Sequence, residues 1–174
     1  MSYTADPFAT PAALRDPARR LRGRLASPVT LWTSGAPSAP SGLTVSSILV
    51  AEGEPPSVLG LVNSTTDLWE AVEETQAFVV HVLERRHRLL AERFAGRMPS
   101  PGGLFRDLVI EPSAWGPKLT DVPNRALCRL SGARQVGYHN LVEAAIEGVE
   151  VEGLEDPLVF YQGRYRLLQR RDPA

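Results

Sequence analysis

Cysteine is almost absent from the chain: Cys128 is the one example in 174 residues. No disulfide can form within the molecule, and no Cys-x-x-Cys metal motif exists. Histidine is nearly as scarce. His81, His87 and His139 include no pair four residues apart with a glutamate between them, which excludes the zinc-hydrolase signature. A Ser–His–Asp triad around His139 has no Gly-x-Ser-x-Gly elbow to supply its nucleophile. Long apolar runs are also missing. Nothing approaches the roughly 18 residues of a membrane helix, and the opening "MSYTADPFAT" has no basic stretch followed by an apolar core. A net charge of −1 gives no overall field that would draw the chain to nucleic acid or an anionic membrane. These absences predict a cytoplasmic protein without nucleic-acid, membrane or metal partners.

What is present suits one domain. A chain of this length, 43% hydrophobic, buries about 70% of its unfolded surface. Residues 1–27 mix proline with a basic segment in which Leu14, Leu21 and Leu25 recur near helical spacing. They are expected to form an arm or a short helix, its arginines a solvated face. Residues 28–170 carry the punctuation of a β-protein: "VTLWTSG", "LTVSSILVA", "SVLGLVN", "FVVHVL", "RALCRLSGARQVG", "LVEAAIEGVEVEG" and "LVFYQGRYRLL", separated by Gly, Pro, Ser and Asp clusters. Two helices are predicted between them. One runs from Leu68 to Thr75, opened by an Asp67-x-x-Glu70 capping pair, and the other from Arg86 to Ala95, stopping near Gly96. "RMPSPGGLFRD" reads as a loop, continuing toward Lys118, that could border a ligand site.

Two polar stretches stand out. In "LTVSSILV", strand alternation puts Thr44 and Ser46 on one face and Val45 and Ser47 on the other, so hydroxyls fall on both sides. Either a hydroxylated ligand or neighbouring backbone must satisfy them. In "NSTTD", Ser64, Thr65 and Thr66 lie at a helix N-terminus, where free N–H groups favour an anion or an ordinary cap. Asp67 there opposes a phosphate. Cys128, in a strand-like run, reads as a small buried hydrophobe.

Taken in order, "GLTVSS", "EPPSVLGLV", "NSTTDLWEAV", "FVVHVL", "LLAERFAG", the Cys of "RALCRL", the Gly-x-His of "VGYHNLVEAAIEGVEV" and the closing "PLVFYQGRYRLL" resemble the flavin reductase family of FMN-binding split barrels, over about Leu25 to Leu168. The resemblance implies a mainly β, antiparallel split β-barrel with accessory helices, forming a homodimer. It implies FMN as cofactor, with FAD an alternative, and NADH or NADPH as reductant. Thr44, Val45, Ser46 and Ser47 would line the flavin, Ser64, Thr65 and Thr66 its phosphate, and Phe94 and Ala95 a helix end approaching it. His139 would lie on the nicotinamide side as the catalytic position. The implied activity is NAD(P)H-dependent flavin reduction, with a monooxygenase as a candidate recipient.

The chain departs from the family pattern in three places. Thr66, Asp67 and Leu68 replace a Ser-x-Thr turn with a basic residue between. Val50, Ala51 and Glu52 replace Ser-Val-Ser before the Pro55-Pro56 pair. Gly137-Tyr138-His139 replaces Gly-Asp-His. These changes keep two alternatives open: a flavin-binding dimer without nicotinamide use, and a split barrel that has taken another anionic ligand.

Overall fold

The computed structural model describes residues 16–166 and Leu168. Leu14 and the rest of residues 1–15 lie outside the described residues, as do Leu167 and residues 169–174. The described chain opens with a short helix, α1 (Pro17–Arg22), whose cap Asp16 accepts the Ala18 N–H at 2.9 Å. Seven antiparallel strands then build the main sheet: β2 (Thr30–Ser34), β3 (Ser41–Val45), β4 (Ile48–Ala51), β5 (Ser57–Asn63), β6 (Ala77–Val82), β9 (Arg125–Val136) and β10 (His139–Glu150). Their order across the sheet is β3-β2-β6-β9-β10-β5-β4. A smaller sheet joins β1 (Ser27–Pro28), β11 (Val159–Tyr161) and β12 (Arg164–Arg166). A two-stranded ladder, β7 (Ile110–Glu111) with β8 (Lys118–Leu119), lies inside the segment expected to be loop.

The strand order explains the barrel. β3 and β4 lie at opposite edges of the sheet, yet only Ser46 and Ser47 separate them in sequence. Two residues span at most about 10 Å, so the sheet must curl until its edges meet. The edges do not pair with each other, and the barrel remains split along this seam. The run "LTVSSILVA" is therefore not one strand, as its alternation predicts, but two strands broken at Ser46–Ser47. Alternation misses the break because it persists through it.

Two apolar clusters sit on either side of β2, which is buried along its whole length. Inside the barrel, Trp32 stacks on Phe78 at 4.6 Å among Val45, Val58 and Val142, and α2 (Asp67–Thr75) closes the cluster with Leu68, Trp69 and Val72. Gly60 has no side chain because a Cβ there would lie 2.5 Å from the Trp32 ring. Outside the barrel, Leu31 and Leu83 pack beneath α3 (Arg88–Phe94) with Ala91 and Phe94. The buried strand hydroxyls are paid for by backbone: Thr30 donates to Val45 O at 2.6 Å, Thr33 to Pro117 O at 2.6 Å and Ser34 to Ala77 O at 2.7 Å.

The second predicted helix begins as a 3-10 turn, Arg85–His87, before α3. Gly96, at φ +69°, follows its last turn and lets the chain leave in the left-handed region. The last two strands join through Gln162 and Gly163, both at positive φ, which matches the right-handed twist of the hairpin.

Candidate functional site

The first group of expected site residues gathers where β5 ends. Ser47 is exposed at the seam, and its hydroxyl donates to Leu61 O at 3.1 Å while its carbonyl accepts the Leu61 N–H at 3.1 Å. Ser46 beside it is half-buried, and its hydroxyl has no partner among the described residues. Two residues beyond Leu61, Asn63 turns the chain. Its Oδ1 accepts both the N–H and the hydroxyl of Thr65 at 3.0 Å, an Asx turn that sequence reasoning passed over.

Thr66, not Asp67, caps α2. Thr66 holds an extended backbone, φ −97° and ψ 145°, and its Oγ1 donates to Asn63 O at 2.8 Å and accepts the Trp69 N–H at 3.3 Å. Asp67 becomes the first helical residue, so the expected Asp67–Glu70 capping pair does not form. Its carboxylate suits the positive end of the helix but opposes a second anion there. Ser64 is exposed, with a hydroxyl that has no partner among the described residues. The N–H groups of Ser64, Asp67 and Leu68 likewise have no acceptor among them.

His139 joins this corner through strand register. As the first residue of β10 it stands opposite Asn63 of β5 and Val136 of β9, and it is half-buried. The two-residue turn before it, Gly137 at φ +58° and Tyr138, leaves Tyr138 90% exposed. The carboxylate expected from the family pattern at that place has no replacement in the turn.

The second group lies on the other side of β3. Thr44 Oγ1 donates to Ala91 O of α3 at 2.7 Å, fixing the helix to the sheet edge. Val45 is 3% exposed, its side chain in the barrel core and its carbonyl occupied by Thr30. Phe94 is 2% exposed and packs edge-to-face on Phe105 at 5.0 Å, while Ala95, half-buried, ends the helix. Gly42 of β3 makes room for this pair, since a Cβ there would lie 2.7 Å from the Phe94 ring.

His81, His87, Lys118, Glu150 and Cys128 serve the scaffold. His81 is fully buried, with Nδ1 bonded to Leu31 O at 3.1 Å and Nε2 accepting the Leu119 N–H at 3.0 Å, so Nδ1 carries the proton. Burial holds its pKa down to about 3. His87 Nδ1 accepts the Glu84 N–H at 3.1 Å, and burial, then Arg86, lowers its pKa. Lys118 bridges Glu111 at 2.8 Å and Glu150 at 3.3 Å, and Arg125 meets Glu150 at 2.6 Å, which holds the Glu150 carboxyl below the usual range. Cys128 is buried in the barrel, and burial pushes its thiol up to about 12. Among the described residues no three His, Cys, Asp or Glu side chains are placed to hold a metal ion.

The sequence and the fold match known proteins. The Flavin reductase like domain model matches residues 22–169, and the chain belongs to that family. It is similar to FMN reductase (NADH) RutF of Methylorubrum extorquens, 33% identical over 156 residues that cover 87% of this chain and 74% of that protein. Among solved structures it is similar to a nitrilotriacetate monooxygenase component B homologue from Mycobacterium thermoresistibile, with a TM-score of 0.79 at 27% identity, covering 90% of this chain and 89% of that one. The NADH:FAD oxidoreductase SgcE6 of Streptomyces globisporus C-1027 shares the fold, with a TM-score of 0.80 at 23% identity over 95% of this chain and 96% of that one.

Proposed function

We infer that the protein is an NADH-dependent flavin reductase that binds FMN at the β3–β4 seam. It acts as a cytoplasmic homodimer and supplies reduced flavin to a monooxygenase. The observation that carries this reading is the set of free donors along the end of β5, in a chain of this family. The hydroxyls of Ser46 and Ser64 and the first amides of α2 all lack partners among the described residues, and strand register sets His139 opposite Asn63, the residue that opens the α2 turn. Such a donor set fits a hydroxylated, phosphorylated ligand. The FMN and NADH use of the relative from Methylorubrum extorquens, and the monooxygenase context of the Mycobacterium thermoresistibile structure, support the particular substrates and recipient.

In this reading the bound flavin supplies the hydride acceptor, so no side chain need act as a nucleophile. Ser46 meets the flavin's polar edge. Ser47 holds the seam through Leu61. Ser64 and the α2 amides receive the phosphate, with Asp67 weakening that contact. His139 positions the nicotinamide. No helix among the described residues is long and apolar enough to cross a membrane, which accords with the location proposed.

The test is titration of the purified protein with FMN, followed by flavin-fluorescence quenching, and then NADH oxidation. Saturable binding and turnover are expected. His139→Ala should slow turnover about tenfold while the FMN dissociation constant stays within about twofold, as loss of a positioning group does. Equal turnover in the variant removes His139 from the reaction. Tight FMN binding with no NADH oxidation in the wild type would favour a flavin-binding dimer instead.

A further inference from the structure

The loop after α3 holds a cavity that the flavin corner does not use. It has a volume of about 300 Å³ and is lined by Arg93, Arg106 and Asp107, with Gly103 and the bend at residues 99–101. Its two guanidinium groups are held in place by main chain. Arg93 Nη1 donates to Arg106 O at 3.1 Å and Leu104 O at 3.4 Å, closing the loop onto the helix. Arg106 Nη1 donates to Pro101 O at 3.1 Å. Gly102, at φ +90°, makes this possible, because a Cβ there would lie 2.6 Å from Arg106 Cδ. Each guanidinium keeps further N–H groups free for another acceptor.

The charge balance favours an anion. Asp107 is the one carboxylate lining the cavity, and it lies 3.8 Å from Arg106 with its side chain 82% exposed. Glu92, next to Arg93 in sequence, is paired with Arg97 at 3.8 Å. A volume of this size is at the lower limit for ligand pockets, suited to a phosphate or diphosphate rather than a whole nucleotide. Planar forks held in advance recognise such groups well. The cavity adjoins the helix end expected from the family resemblance to approach the flavin: Arg93 precedes Phe94 and Ala95, and Phe94 packs against both Phe105 and Gly42 of β3.

We propose that this cavity takes the diphosphate of an adenine dinucleotide, either FAD or NADH, with Arg106 as the principal contact and Arg93 as the strut that positions it. The proposal rests on the flavin-reductase reading and adds to it a second anion site, away from the α2 turn that Asp67 makes unfavourable. Two variants test it. Arg106→Gln should weaken one dinucleotide about tenfold, the scale of one charge-assisted contact. Asp107→Asn keeps a residue that tolerates the φ of +64° at that position and removes the opposing charge, so it should tighten the same ligand several-fold.

The readouts are dissociation constants for FAD, FMN and riboflavin by flavin fluorescence, and the KM for NADH at saturating FMN. A change confined to FAD identifies that dinucleotide as the occupant, and a change confined to NADH identifies the other. Unchanged values in both variants would overturn the proposal, as would an equal loss of riboflavin, which has no phosphate and would report only a collapsed loop. A wild-type protein that bound no flavin and oxidised no NADH would overturn the broader reading as well, a result distinct from failure of the two variants alone.

Discussion

At the turn into α2, polar side chains use their hydrogen bonds on the next few residues of chain. Around α3, they reach across the fold. Thr65 and Thr66 both bond to Asn63, within three residues. Thr44 bonds to Ala91, and His81 ties Leu31 to Leu119. The α2 turn of the first corner is thus assembled from local pieces at the surface, whereas the second corner depends on buried, long-range contacts. A change in the first should be felt locally, and one in the second throughout the barrel.

The largest expected effect tests the second corner. Phe94→Ala empties a buried site beside Phe105 and Gly42 and should cost about 3–5 kcal/mol in chemical denaturation. Unchanged stability accompanied by lost flavin binding would instead make Phe94 a cofactor contact. The next effect is acid sensitivity. The His81 ring titrates near 6.5 when free and at about 3 when folded, so between those values the unfolded chain holds more protons. Stability is complete above 6.5 and is lost as pH falls toward 3, by about 2 kcal/mol between pH 7 and pH 5. His87, lowered in the same direction, adds to the slope. Denaturation midpoints at the two pH values measure it. His81→Gln should flatten most of the difference, and an equally steep slope in that variant would place the acid sensitivity elsewhere.

The smallest effects belong to the first corner. Thr66→Ala removes the α2 cap and should cost about 1 kcal/mol, while the far side of the barrel keeps its hydrogen-exchange protection. Asp67→Asn should tighten FMN a few-fold relative to riboflavin by relieving repulsion at the phosphate turn. If neither ligand responds, the phosphate does not sit on this helix end. Global loss of protection in Thr66→Ala would erase the contrast between the two corners.

The same contrast governs how much could be read from sequence. Strand alternation and turn residues give the order of β-elements, and the helix at Leu68 is visible because its cap, first turn and apolar face are all local. The ordered motifs are sufficient to indicate the family. What the sequence does not reveal is where neighbours in the chain become distant in the sheet: the alternation through Ser46 and Ser47 hides the seam. Asp67 resembles a cap as much as Thr66 does, because only backbone dihedrals separate them. Arg93 and Arg106 are unremarkable thirteen residues apart and become partners only when the Gly102–Gly103 bend folds the loop back onto α3. Phe94 and Val45, read as flanking a ligand, have side chains that fill the two apolar clusters, a placement that their sequence neighbours do not disclose.

The burial of Cys128 bears on the chemical surroundings of the proposed reaction. Reduced flavin that escapes into aerated solution reacts with oxygen and generates hydrogen peroxide, which attacks thiols through their thiolate form. Cys128 is sealed in the barrel and held protonated at neutral pH. The chain therefore presents no thiolate to the oxidant that its own product creates, and its turnover should not be limited by damage at sulfur in that residue.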